Sequence, residues 1–105
     1  MAMANVTLII EADQETAKDL AEHAGITAIQ SSVQELRAHA GDVATWITVV
    51  NAATPLIAAF IPYLVERAKR GKITKVSSGG TSFEGSFTLH DASLLQKLIK
   101  NEERH

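Results

Sequence analysis

The spacing of apolar and polar positions divides the chain into segments of different character. Residues 5–11 (NVTLIIE) are rich in Val, Thr, Leu and Ile between polar flanks, and read as a strand of buried type. Asp13 then offers a helix N-cap, with Glu15 in the first turn where the helix dipole favours a carboxylate. Ala17, Leu20, Ala21 and Ala24 fall at i, i+3, i+4 and i+7, one apolar stripe, and Gly25 is placed to end the helix in a left-handed cap. Residues 26–30 read as a short second strand, which in parallel with the first would close a β-α-β crossover. Ser32 and Glu35 have capping-box spacing, so the next expectation is a short helix over Val33, Leu36 and Ala40 that Gly41 closes.

Residues 43–65 (VATWITVVNAATPLIAAFIPYLV) contain no charged side chain and lie between Asp42 and Glu66. Twenty-odd apolar residues are enough to span a bilayer core of about 30 Å, and Trp46, Tyr63 and a following basic run suit the two interfaces. The pattern nevertheless breaks in the middle. Asp42 caps a helix through Val43, Trp46, Ile47 and Val50, Asn51 marks a bend, and Thr54-Pro55 is a fresh start signal with Thr as N-cap and Pro at the first helical position. In the second helix Ile57, Phe60, Ile61, Leu64, Val65 and Ala68 form an apolar stripe, Pro55, Ala58, Ala59 and Pro62 lie opposite, and Pro62 is expected to kink the axis. Two helices hidden by protein are the preferred reading, and a single bilayer span is the alternative.

Residues 73–77 read as a third strand, Ser78-Gly79-Gly80-Thr81 as a turn and residues 82–89 as a fourth strand, in which Phe83, Gly85, Phe87 and Leu89 alternate with polar residues. Asp91 caps a last helix whose Leu94, Leu95, Leu98 and Ile99 complete the core, with Lys97 and Lys100 towards its negative end. The expected fold is one α+β domain over residues 1–105: a small mixed four-stranded sheet in β-α-β-α-α-α-β-β-α order, with the helices packed on one face.

Composition narrows the function classes. The chain has 105 residues, 46% apolar and 21% charged, which fits a single modest core. Its net charge of −2 argues against a strongly cationic nucleic-acid binder. The charge is uneven, because seven of the twelve acids precede Val43 and eight of the ten bases follow it. There is no cysteine, which removes disulfides and thiolate chemistry and fits a reducing cytoplasm. The start MAMANVTLII lacks a basic n-region and is a poor secretory signal. A cytoplasmic location is expected, with the inner membrane as the alternative.

The run YLVERAKRGKITKV, the glycine turn, the strand FEGSFTL and the final DASLLQKLI, following a strand, a helix and a small-residue apolar region, resemble the effector-associated constant component family of bacterial conflict systems. The resemblance covers residues 6–99 and implies a small α/β adaptor that works beside an effector or sensor component. It implies no catalytic residue.

Candidate chemistry is sparse. His90-Asp91 could orient an imidazole for general-base work, but no nucleophile is tied to it by spacing, and a capping role is preferred. His23, His39 and His90 lack the spacing of a zinc site. The glycine turn is followed by a strand, which favours a hairpin over a phosphate cradle. Arg67, Lys69, Arg70, Lys72 and Lys75 form one basic cluster without interleaved aromatics. The expectation is therefore a non-enzymatic interaction module without cofactor or metal, an adaptor or regulator in a bacterial or phage defence setting. Its expected partner surface comprises Ala58, Ala59, Pro62 and Tyr63, flanked by Arg67 and Arg70, and self-association is the simplest way to hide excess apolar surface there.

Overall fold

A computed structural model describes residues 5–36, 45–70, 73–84 and 87–103. Eight elements follow in order: β1 (Asn5–Ala12), α1 (Gln14–Ile26), β2 (Gln30–Leu36), β3 (Thr45–Ala53), α2 (Thr54–Lys69), β4 (Ile73–Ser78), β5 (Thr81–Glu84) and α3 (Leu89–Glu103). The strands form one five-stranded sheet in the order β2-β3-β1-β4-β5, and every neighbouring pair is antiparallel. β1 and β2 flank β3, while β3 and β4 flank β1. The first six elements thus make two interleaved split β-α-β units, the ferredoxin-like arrangement, to which the β5 hairpin strand and α3 are added.

The α+β class and the single-sided helical cover agree with the sequence reading, and the strand count does not. The sheet has five strands where four were expected, and it is antiparallel where a mixed sheet was expected. The largest correction is β3: a helix capped by Asp42 and running through Val50 was expected, with a bend at Asn51, whereas residues 45–53 fold as one strand, and residues 42–44 of that expected helix lie outside the described residues. An uncharged, mostly apolar run satisfies helical and strand periodicity alike, and what decides it here is the content of Trp, Ile, Thr and Val, whose stiff or bulky side chains suit a pleated surface. A second correction concerns Ser32 to Leu36, which lie in β2 instead of a helix, so the Ser32/Glu35 spacing caps nothing; residues 37–41 of that expected helix lie outside the described residues. The second strand, expected over residues 26–30, begins only at Gln30, because α1 continues to Ile26 and a turn follows, and with β3 inserted the first two strands never pair.

Burial in β1 alternates strictly: Val6, Leu8, Ile10 and Ala12 are buried while Asn5, Thr7 and Ile9 are exposed. The same inner face carries Thr48, Val50 and Ala52 of β3 and Ile73 and Val76 of β4. Onto it α1 lays Ala17, Leu20 and Ala24, and α2 the expected stripe of Ile57, Phe60, Ile61, Leu64, Val65 and Ala68, all buried. Each fully buried leucine here stabilises by about 2–3 kcal/mol. Thr48 Oγ1 donates to the Ala17 carbonyl at 3.3 Å, which satisfies its buried hydroxyl and ties the sheet to α1.

Element ends show smaller shifts. Asp13 is the N-cap of α1 as expected, and its Oδ1 accepts from the Thr16 N–H at 2.8 Å. The helix runs past Gly25 to Ile26 and is closed by Thr27, whose hydroxyl reaches the carbonyls of His23 and Ala24. The left-handed residue that follows is Ala28, at φ 61°. α2 is capped at Ala53, one residue before Thr54, and it is unbroken through Pro62. Residues 45–65 are therefore a strand and a helix, and no helix among the described residues is long and apolar enough to cross a membrane. Gly79 and Gly80 join β4 to β5, with Gly79 at φ 59° where a tight hairpin favours a residue without Cβ. β5 ends at Glu84, and Leu89, expected at the end of that strand, instead begins α3, where it is exposed. Of the four apolar residues expected to bury on α3, Leu95 and Ile99 do, whereas Leu94 and Leu98 stay partly exposed and Ala92 takes their place.

Candidate functional site

Two helical pairs meet where α1 and α2 lie side by side. Asp19 and His23 are one turn apart near the end of α1, and Tyr63 and Arg67 are one turn apart on α2. The His23 and Tyr63 rings stack at a centroid distance of 3.9 Å and 9° from parallel. Buried Phe60 supports both, at 5.6 Å from His23 and 6.0 Å from Tyr63. Arg67 Nε donates to the Tyr63 hydroxyl at 3.0 Å, its guanidinium carbon lies 5.0 Å from the Tyr63 ring centroid, and Nη1 sits 3.5 Å from Asp19 Oδ2. The Tyr63 hydrogen bond is the largest influence and raises the Arg67 pKa; desolvation, next in size, lowers it, the charges of Tyr63, Asp19 and Glu66 raise it further, and the net shift is upward, so the guanidinium stays cationic.

Together with Glu22 and Ile26, these four residues line a surface hollow of ≈ 270 Å³. Its wall is mainly polar, and Ile26, 77% exposed, supplies an apolar lip. The flexible arginine is held from two sides and the tyrosine is flanked by imidazole and guanidinium, so both present fixed groups at the rim.

Of the six residues expected to bind a partner, five lie on α2 and Arg70 caps its C-terminus, and they divide among three aspects of the helix. Tyr63 and Arg67 turn towards α1 as just described. Ala58 is half-buried towards α3, where it lines a small hollow with Thr54, Gln96 and Ile99. Ala59 and Pro62 are exposed on the outer ridge, with Arg70 further along it, 3.6 Å from Glu66. Residues of the basic run are spread out in the same way: Lys75 sits on β4 between Glu11 at 3.7 Å and Glu84 at 4.0 Å, and Lys72 lies outside the described residues. Asn51, expected at a bend, lies within β3 two residues before its end, where its amide nitrogen donates to Thr7 Oγ1 at 2.6 Å.

His90 is exposed in the first turn of α3. Asp91 Oδ2 accepts from the Thr88 N–H at 3.1 Å and the Asp91 N–H donates to Thr88 Oγ1 at 3.2 Å, a reciprocal capping box that engages the carboxylate. His39 lies outside the described residues, and among those described no cluster of three His, Asp or Glu could hold a metal ion. The sequence reading missed Asp19 and His23 as part of a site. Each pair was legible at i, i+4 spacing, but that the pairs face one another depends on α1 and α2 packing on the same sheet face.

Comparison with protein-family models, with curated proteins and with solved structures finds no match.

Proposed function

We propose that the protein is an interaction module, an adaptor or regulator that docks a protein partner on the α1–α2 side. The observation that carries this reading is the Tyr63–Arg67 pair, fixed by His23 and Asp19 at the rim of the hollow and bordered by exposed Ala59 and Pro62. Tyrosine and arginine dominate the energetics of protein interfaces, and groups already held in one geometry lose little freedom on binding. Asp19 and Glu22 at the same rim favour a partner segment with a basic group. The resemblance to effector-associated constant components supports a partner of effector or sensor type in a bacterial or phage defence setting.

Self-association through α2, part of the initial expectation, has less support than docking. Its apolar stripe is consumed by the core, leaving Pro55, Leu56, Ala59 and Pro62 as its exposed apolar residues.

The test is affinity capture with the tagged protein from its native cells, repeated with Tyr63→Ala and with Ala59→Glu. A partner enriched by the wild type should be lost with both variants while their circular dichroism is unchanged; loss of one interfacial tyrosine typically weakens binding by about thirtyfold, equivalent to about 2 kcal/mol. Equal recovery of that partner by the wild type and both folded variants would remove the proposal.

A further inference from the structure

Opposite the helices, the sheet has a second face that nothing described covers. Among the described residues every buried side chain of the sheet points to the helical side. In an antiparallel sheet a bare face is ordinary, and it normally reads polar throughout. This one does not. Ile9 of the central strand pairs directly with Val49 of β3, and Ile47 lies one pleat away opposite Glu11. Ile9 is 40% exposed, and Ile47 and Val49 are half-buried, with no helix above them among the described residues.

The cross-strand partners of Ile9 and Val49 are uncharged, whereas Ile47 faces Glu11. Thr7 and Asn51 bond to one another on one side, Ser77 flanks Ile9, and Ser32 flanks Val49. The charges recorded on the face are gathered at one end, where Lys75 already lies between Glu11 and Glu84.

The geometry points to a second copy of this chain as the occupant, packed sheet on sheet about a two-fold axis that lies between the sheets and runs across the strands over the Ile9–Val49 pair. Such an axis lays the apolar centre of one copy on that of the other. It also carries each Glu11–Lys75–Glu84 group to the opposite end from its twin, so like charges never meet. A foreign partner would have to be uncharged and apolar at the matching place, whereas the copy is so by symmetry. Five strands about 4.8 Å apart, read over some six residues of about 3.3 Å each, present a plane of roughly 24 by 20 Å. With side-chain relief, that approaches the roughly 800 Å² per partner of a standard stable interface. The inference is independent of the docking proposed for the helical side, because it uses the opposite surface.

Light scattering coupled to gel filtration on the whole chain tests it, with Ile9→Glu as the variant and Ala59→Glu as the control on the helical side. The expected result is two subunits for the wild type and for Ala59→Glu, and one subunit for Ile9→Glu. Because the chain has no cysteine, Ile9→Cys gives a second reading that needs no loss of fold: packed sheets lie about 10 Å apart, too far for a direct disulfide, so a bis-maleimide of about that span should link Ile9→Cys into a dimer, while Ala59→Cys should not. A wild type that stays at one subunit at several hundred micromolar overturns the inference. So does a dimer that survives Ile9→Glu, or one that only Ala59→Glu dissociates, and failure of Ile9→Cys to cross-link counts equally against it.

Discussion

Ala28 holds its backbone at φ 61° between α1 and β2, a region that costs an L-residue with a Cβ about 1–2 kcal/mol. The turn over-determines it, since the Ala28 N–H donates to the Gly25 carbonyl at 3.2 Å and the next N–H, from Ile29, to the Ala24 carbonyl at 2.7 Å. Glycine would remove the steric cost while adding freedom to the unfolded chain, so Ala28→Gly should stabilise by about 0.5–1 kcal/mol, a rise of a few degrees in Tm for a domain of this size. A calorimetric scan showing a lower Tm would contradict that. The residue was out of reach of sequence reading because Gly25, three positions earlier, is the better left-handed candidate by type. Thr54 shows the same limit: its type marks it as a cap, but its hydroxyl is buried where α2 meets α3 and has no hydrogen-bond partner among the described residues, while Ala53 takes the cap position.

Among the elements, α3 has the most explicit start signal. Thr88 and Asp91 satisfy each other's backbone N–H groups, so Thr88→Ala should cost about 1 kcal/mol, visible as a lower urea midpoint with an unchanged m-value. An unaltered midpoint would mean that packing of Leu95 and Ile99 alone fixes the helix. Elements with one clear face were legible in the sequence: the stripe of α2 was assigned residue by residue, as were the cap of α1 and the Gly79-Gly80 hairpin. Those without one were not. β3 is apolar on both faces, because its outer residues Ile47 and Val49 match its inner Val50, so its period carried no information. β2 is the opposite case, polar on both faces at the sheet edge, and the exposed Ser31, Ser32, Gln34 and Glu35 leave only half-buried Val33 to mark a strand. The hollow between α1 and α2 was half legible: Tyr63 and Arg67 were singled out on α2, whereas Asp19 and His23 joined them through a helix packing that no local spacing encodes.

At the scale of the whole molecule, the sheet separates two surfaces that can act without competing. The helical side offers fixed Tyr63 and Arg67 beside a polar hollow, and the sheet side offers the apolar centre at Ile9 and Val49. An adaptor that pairs by one side and recruits by the other gains from pairing, since two linked recruiting surfaces raise the effective concentration for a divalent partner. Pairing also leaves a thermodynamic trace without any partner. If the native state is a dimer and the unfolded chain is not, mass action makes Tm depend on protein concentration. Unfolding a chain of about 100 residues absorbs about 70 kcal/mol, so a dimer absorbs about twice that, and each tenfold rise in concentration should lift Tm by about 4 °C. The dependence should vanish in Ile9→Glu and persist in Ala59→Glu. Scans between about 2 and 200 μM that superimpose for the wild type would show that the bare face of the sheet meets only solvent, and the helical side would then have to act as a single surface.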